Sequence, residues 1–430
     1  MDLLAKDQEF VWHPFTQVQT APIPLPIVKA KGAWLYSVDG KKYLDVNSSW
    51  WTINHGHGNE YIAGKIHAQF LELDHVIFAG VTHPKAVEVA ERIIKILPTG
   101  FQKVFFSDNG STSVEVAIKM VYQYWHNKGI EKKRFLALEG AYHGDTFGAM
   151  SVGQRGYFNA PFEHLFFEVD FIPFPTEENF SEVLEKIESL FATESFAGFI
   201  FEPLVQGAAG MRIYNAEWLD AFISLAKQYN VLTVADEVMT GFYRTGTFFA
   251  THQLTQIPDI ICLSKGVTGG VMPIGLTVAT QSIFEAFLSN ETTKALLHGH
   301  SFTGNPLSCA AICASLDLFE DQSTLSAIQK ISESHQRFID IHGNNPVFRS
   351  AKFMGTILSL EVEVGEGSSY FSEMRSEAYQ FFLENELLIR PLGNVIFINP
   401  PYCITSQELD YVYLKVMEFV ISFNSRLNNQ

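Results

Sequence analysis

The chain has 430 residues, 47% of them hydrophobic, enough for one large core with a smaller satellite domain. Its formal charge of −17 comes without any run of lysines or arginines, which argues against a nucleic-acid partner, because phosphate-backbone binding draws on clustered basic residues. The acidic start (Asp2, Asp7, Glu9), the lack of a bilayer-length apolar run, and four cysteines (262, 309, 313, 403) without a CxxC pair set three expectations: no signal peptide or membrane span, no disulfide framework or structural metal, and a cytoplasmic setting.

In chain order, the first predicted element is a hairpin: residues 34–37 and 42–46 flank Val38-Asp39-Gly40, where glycine accepts the positive φ of the turn. From about residue 100 to 280, short apolar runs at 104–106, 135–138, 166–171, 196–201, 231–235, 260–263 and 274–278 alternate with amphipathic stretches. That alternation predicts an α/β fold with a mostly parallel seven-stranded sheet covered by helices. One such helix spans 216–229, with Trp218, Leu219, Phe222, Ile223, Leu225 and Ala226 on one face. After about residue 320 helix and strand mix, and a last helix starting near Ser406 buries Leu409, Val412, Tyr413, Val416, Phe419 and Val420. The expected division is a large domain over 49–318, with 1–48 and 319–430 forming a smaller α+β domain from both chain ends.

Ligands of parallel sheets sit beyond the carboxyl ends of the strands, so polar residues behind apolar runs are the first candidates. Behind 104–106 comes Ser107-Asp108-Asn109-Gly110-Ser111-Thr112, then a helix with Val114, Ala117, Ile118, Val121 and Tyr122 inward. Gly110 and Ser111 offer a phosphate free N–H groups, a hydroxyl and a helix dipole; alternatively Ser107 or Ser111 is a plain N-cap. Behind 135–138, Tyr142 stands among glycines, either to stack on a flat ligand or as a buried tyrosine beside a turn. His143 has no second histidine at metal-ligand spacing. Behind 231–235 stands Asp236: a carboxylate buried there needs a cation, either a protonated pyridine nitrogen or an internal arginine such as Arg244. Behind 260–263 stands Lys265, where poor solvation eases deprotonation and imine formation, unless the side chain snorkels to water.

Taken together, these four sites resemble the class III aminotransferases of the fold-type-I pyridoxal-phosphate superfamily along nearly the whole chain. The segment Asp236-Glu237-Val238-Met239-Thr240-Gly241-Phe242-Tyr243-Arg244-Thr245-Gly246, followed by Lys265, is similar to that family's central signature. The resemblance implies pyridoxal 5'-phosphate held as a Schiff base on Lys265, Asp236 on the pyridine nitrogen, Val238 and Tyr142 on the two ring faces, and Gly110 and Ser111 on the phosphate. Gly299-His300-Ser301-Phe302-Thr303-Gly304-Asn305 is similar to the segment that reaches the phosphate of the other subunit, which implies a homodimer with Ser301 acting in trans.

Further segments resemble the branch of the family that works in biotin biosynthesis on S-adenosylmethionine and 8-amino-7-oxononanoate. These are Trp12-His13-Pro14-Phe15-Thr16-Gln17, Ser48-Ser49-Trp50-Trp51, Tyr142-His143-Gly144-Asp145, Val205-Gln206-Gly207-Ala208 and Ile389-Arg390-Pro391. By resemblance, Trp50 and Trp51 line the substrate cleft, Arg390 meets the substrate carboxylate, and Phe15, Asp145, Gly299 and Phe397 lie beside substrate. Phe15 and Phe397 stand where many members carry tyrosine. Losing those hydroxyls leaves lysine open as the amino donor, and relatives acting on ornithine or other ω-amines are the alternative within the family.

Overall fold

The computed structural model describes residues 3–364 and 373–427; Asp2 of the acidic start lies outside them. Three strands open the chain: β1 (Ile27–Lys31), β2 (Trp34–Ser37) and β3 (Lys42–Asp45), with β2 and β3 antiparallel and Gly40 at φ 84° in their turn. Next come β4 (Phe101–Ser107), β5 (Arg134–Leu138), β6 (Val169–Ile172) and β7 (Phe196–Phe201), then the small hairpin of β8 (Val205–Gln206) and β9 (Arg212–Ile213). β10 (Leu232–Asp236), β11 (Ile260–Leu263) and β12 (Gly275–Thr280) follow. β13 (Phe348–Met354), β14 (Ile357–Val362), β15 (Leu387–Leu388) and β16 (Val395–Ile398) belong to the C-terminal part.

The central sheet has seven strands in the order β4-β12-β11-β10-β7-β5-β6. Side chains alternate across it: Leu136, Leu138, Phe199, Phe201, Ile261 and Leu263 enter one core, while Phe135, Ala137, Ile200, Val234, Ile260 and Cys262 enter the other. Burial on both faces is why these strands are near-continuous apolar runs, each large side chain contributing roughly 1.5–3 kcal/mol of transfer free energy. Helix Gly110–Asn127 covers one face with Val114, Ala117, Ile118 and Val121 buried. Helix Ala216–Gln228 covers the other with Leu219, Phe222, Ile223 and Ala226, and Trp218 and Leu225 pack at its margin.

The sheet is mostly parallel, as expected, with one antiparallel strand, and one strand boundary differs from expectation. β12 runs antiparallel to both β11 and β4, because residues 264–274 are too few for a helical crossover and return the chain directly. The strand expected at 166–171 is Val169–Ile172, paired with β5. Phe167 instead packs its ring on Tyr122 and Phe135, at 5.5 and 5.7 Å between centroids.

Both chain ends share one sheet, since β15 pairs in parallel with β3 in the order β1-β2-β3-β15. Helix Ser406–Leu427 buries Leu409, Val412, Tyr413, Val416, Phe419 and Val420. No helix among the described residues is long and apolar enough to cross a membrane.

Candidate active site

Sheet register brings the chemistry together. Ala235 pairs with Phe201 on one side and Ile261 on the other, so the next residues, Glu202 and Asp236, leave the sheet side by side. Asp236 itself pairs with Cys262, which places Lys265 just beyond its neighbour's end. Because β12 reverses twice between β11 and β4, the end of β4 points the same way and delivers Gly110 to this edge.

A cleft of about 450 Å³ opens there, and Trp51, Gly110, Ser111, Tyr142, Asp236, Val238 and Lys265 all line it. Lys265 follows Ser264, whose hydroxyl donates to the Ile274 carbonyl at 2.6 Å. The lysine takes a left-handed φ of 44°, and the residue behind it must be glycine, because a Cβ on Gly266 would sit 2.5 Å from Asn54 Nδ2. The Lys265 Nζ lies 5.0 Å from the centre of the Trp51 ring. Burial lowers its pKa below the ordinary lysine value, against the opposing pull of Asp236 and Glu202.

Asp236 is 4% exposed. Its Oδ2 accepts from His143 Nδ1 at 2.7 Å and its Oδ1 from the Val238 N–H at 3.0 Å. Arg244 is not its partner: that guanidinium is buried elsewhere, on Asn399, Pro400, Ile53 and Asn54. The helix behind β4 is capped by Asn109, whose side chain accepts from Thr112 N–H in a capping box, so neither Ser107 nor Ser111 is the cap. Gly110 has no room for a side chain, since a Cβ would meet Val238 Cγ1 at 2.7 Å. Ser111 Oγ accepts from the Asp145 N–H at 3.0 Å, and the Tyr142 hydroxyl donates to Asp145 Oδ2 at 2.8 Å.

The aromatic wall comes from the turn Ser48–Trp51, whose four residues all have positive φ (49°, 45°, 71° and 68°). Each non-glycine residue in that region costs ~1–2 kcal/mol. Trp51 is buried and Trp50 is 51% exposed. Phe397 stands behind Trp51, ring centroids 5.9 Å apart, and is itself buried. Phe15 is exposed and packs on Trp50 at 5.9 Å and on Phe158 at 5.8 Å. The Arg390 guanidinium sits 5.7 Å from the Trp50 ring, outside the deep cleft. Gly299 and Ser301 are exposed and do not line the cleft of their own chain.

Sequence reasoning passes over two residues of this site. His143 is fully buried against Asp236, a contact 93 residues away in sequence that metal-ligand spacing does not reveal. Glu202 directly follows the apolar run of β7, so the strand-end rule itself reaches it. Its carboxylate accepts from Tyr142 N–H at 3.1 Å and Gly207 N–H at 2.9 Å. Burial pushes it up to about 7, opposed by His143 and reinforced by Asp236.

Between the ordinary value near 4.5 and about 7, folded Glu202 holds a proton that the unfolded chain has released. Its contribution to stability is therefore complete below the ordinary value and lost as pH rises through 7. Glu202→Gln removes that loss but also gives up one accepted N–H bond, a cost that does not vary with pH. From about pH 5 to about pH 8.5, the variant should gain on wild type by roughly 2–3 kcal/mol in urea unfolding. A constant gap would show an ordinary carboxyl.

A lysine and a carboxylate at adjacent strand ends, above a glycine-opened helix N-terminus, define the class of protein. The family model described as Aminotransferase class-III matches residues 15–420, and the chain belongs to that family. It is 43% identical to the adenosylmethionine-8-amino-7-oxononanoate aminotransferase of Synechococcus elongatus, covering 95% of this chain and 98% of that one. The crystal structure of the aminotransferase of the same name from Methanocaldococcus jannaschii superposes with a TM-score of 0.92 at 32% identity, covering 98% of each chain. An amine transaminase from an uncultivated Pseudomonas species, solved in a PLP-bound form, superposes at 0.89 with 27% identity over 96% of this chain and 98% of that one.

Family and neighbours imply pyridoxal phosphate, and the residues present fit it. Lys265 Nζ has no hydrogen-bond acceptor among the described residues. His143 Nε2 is buried without a partner while Nδ1 holds Asp236, and a Cβ would fill the cradle at Gly110.

Proposed function

We infer that this protein is a homodimeric, cytoplasmic aminotransferase of biotin synthesis, moving the amino group of S-adenosylmethionine to 8-amino-7-oxononanoate to give 7,8-diaminononanoate. The observation that carries it is the half-buried Lys265, its amine 5.0 Å from the Trp51 ring, in a chain matched over 95% or more of its length by relatives of that name. Bound in the cleft, pyridoxal phosphate supplies an electron sink for the carbanion formed at the donor's α-carbon.

The chain's residues do the rest. Lys265 would hold the cofactor covalently, and its freed Nζ would take the proton from the donor's α-carbon. The lowered pKa keeps that amine neutral at a pH where an exposed lysine is charged. Asp236, oriented by His143, would hold a proton at the pyridine nitrogen. Val238 and Tyr142 would confine the ring, and Gly110 and Ser111 at the helix N-terminus would hold the phosphate. Ser301 and Gly299, exposed on their own chain, serve the site of a second copy. Trp50 and Trp51 give flat walls to an adenosyl group and to a nonanoate chain in turn, with Asp145 at the cleft edge and Arg390 at the mouth for the acceptor's carboxylate.

One cleft serving two substrates in turn should give ping-pong kinetics, with parallel double-reciprocal lines; intersecting lines count against a shared site. The deciding experiment offers the cofactor-loaded enzyme S-adenosylmethionine, lysine or ornithine singly and follows the cofactor's absorbance. Conversion with S-adenosylmethionine is expected. Phe15 and Phe397, which lack the hydroxyls of many relatives, favour lysine as the second reading: conversion with lysine alone would overturn the donor and leave the acceptor standing.

A further inference from the structure

We propose that Asp45 and Arg244 are positioning residues that hold the left-handed turn at 48–51, and with it the Trp50–Trp51 wall, in the conformation that receives substrate. The inference rests on the reading of those tryptophans as the substrate wall.

None of the four turn residues is glycine, yet all have positive φ, so something outside the turn must keep it wound. On one side stands Asp45, fully buried. Its Oδ1 accepts from the Ser49 N–H at 2.9 Å, and its Oδ2 accepts from the Ser49 hydroxyl at 2.7 Å and from His57 Nε2 at 2.8 Å. On the other stands Arg244, 1% exposed, whose guanidinium donates to the Ile53 carbonyl at 3.1 Å and to Asn54 Oδ1 at 2.8 Å. It also donates to Asn399 Oδ1 and the Pro400 carbonyl, both at 2.8 Å, fastening the turn's exit to the C-terminal part of the chain.

Burial lowers the Arg244 pKa, and Tyr402 and then Asp45 oppose that through space; a buried carboxylate and a buried guanidinium thus bracket one turn. The turn and the residues that follow it reach the cleft and its mouth. Trp51 reaches Lys265, Trp50 lies under Arg390, and Asn54 packs on Gly266 beside the lysine. Rewound to right-handed, the same four residues would carry Trp51 away from the cleft and Trp50 away from Arg390. Neither Asp45 nor Arg244 lines the cleft, so each acts through the turn.

The strain supplies its own test, because glycine adopts positive φ without penalty. Full-length Asp45→Asn, Asp45→Ala, Arg244→Lys and the double variant Asp45→Ala with Ser49→Gly are loaded with cofactor. Three quantities are measured on each: absorbance of the lysine-bound cofactor, KM and kcat for both substrates, and amide hydrogen exchange over 48–54. In Asp45→Ala, KM for both substrates should rise about tenfold with kcat changed less than about threefold. Its cofactor absorbance should be retained and exchange over 48–54 should quicken.

Arg244→Lys, which keeps the charge but loses the fork, should show the same pattern. Ser49→Gly should recover a substantial part of both KM and exchange protection. Unchanged KM beside faster exchange, or no recovery with glycine, overturns the proposal. If Asp45→Ala does not fold, Asp45→Asn, which preserves side-chain shape, answers the same questions. If wild type turns over neither substrate, the functional reading has failed, and exchange with glycine recovery still decides whether Asp45 holds the turn.

Discussion

Lys265→Ala is expected to lower transamination by roughly 10⁴-fold or more, since on the proposed mechanism it removes both a covalent attachment and a general base worth ~10²–10⁴ on its own. Folding should survive. The wild-type lysine is half-buried, its amine beside Trp51 and its pKa lowered by desolvation, which marks a site that tolerates the ammonium poorly. Alanine relieves that desolvation, so thermal unfolding of the cofactor-free variant should come no lower than that of wild type. The paired result, lost turnover with intact stability, separates a chemical role from a structural one. Steady-state rates with both substrates and a thermal melt are sufficient, and wild-type turnover in the variant would remove Lys265 from the chemistry.

Much of this arrangement is legible in the sequence because two physical rules leave strong marks. Strands buried on both faces read as unbroken apolar runs, so Phe196–Phe201 and Ile260–Leu263 stand out without help from periodicity. The rule that ligands gather at strand ends reaches Gly110, Tyr142, Asp236 and Lys265, which the structure brings to one cleft. What escapes the sequence depends on contacts between distant residues. His143 looks idle until Asp236 arrives beside it. The direction of β12 follows from a connection too short to cross over, which a list of apolar runs does not encode. The left-handed turn at Ser48–Trp51 contains no glycine to announce it, because its conformation is imposed by Asp45 and Arg244 from outside. Phe397, a candidate for substrate contact, stands behind Trp51, so its missing hydroxyl bears on the cleft through a packed indole.

Asp236→Asn should cost about 10²–10³-fold in kcat, the range found when one preorganised electrostatic group is removed. The carboxylate has an acceptor for each of its two neighbours: Oδ2 for His143 Nδ1 and Oδ1 for the Val238 N–H. An amide has one oxygen. If that oxygen keeps the Val238 bond, the NH₂ group faces His143 Nδ1 and drives the imidazole to its other tautomer, placing a proton on Nε2, which is buried without a partner. If it keeps the His143 bond, the NH₂ group opposes the Val238 N–H instead. Either way the variant carries no negative charge to hold a proton at the pyridine nitrogen. Asp236→Glu keeps the charge but lengthens the side chain in a 4% exposed site, and a misplacement of about 1 Å can cost ~10²-fold. Cofactor should remain attached in both variants, because Lys265 is untouched, so retained absorbance beside lost kcat is the expected signature. Full turnover in Asp236→Asn would show that the charge at this strand end is not what the reaction uses.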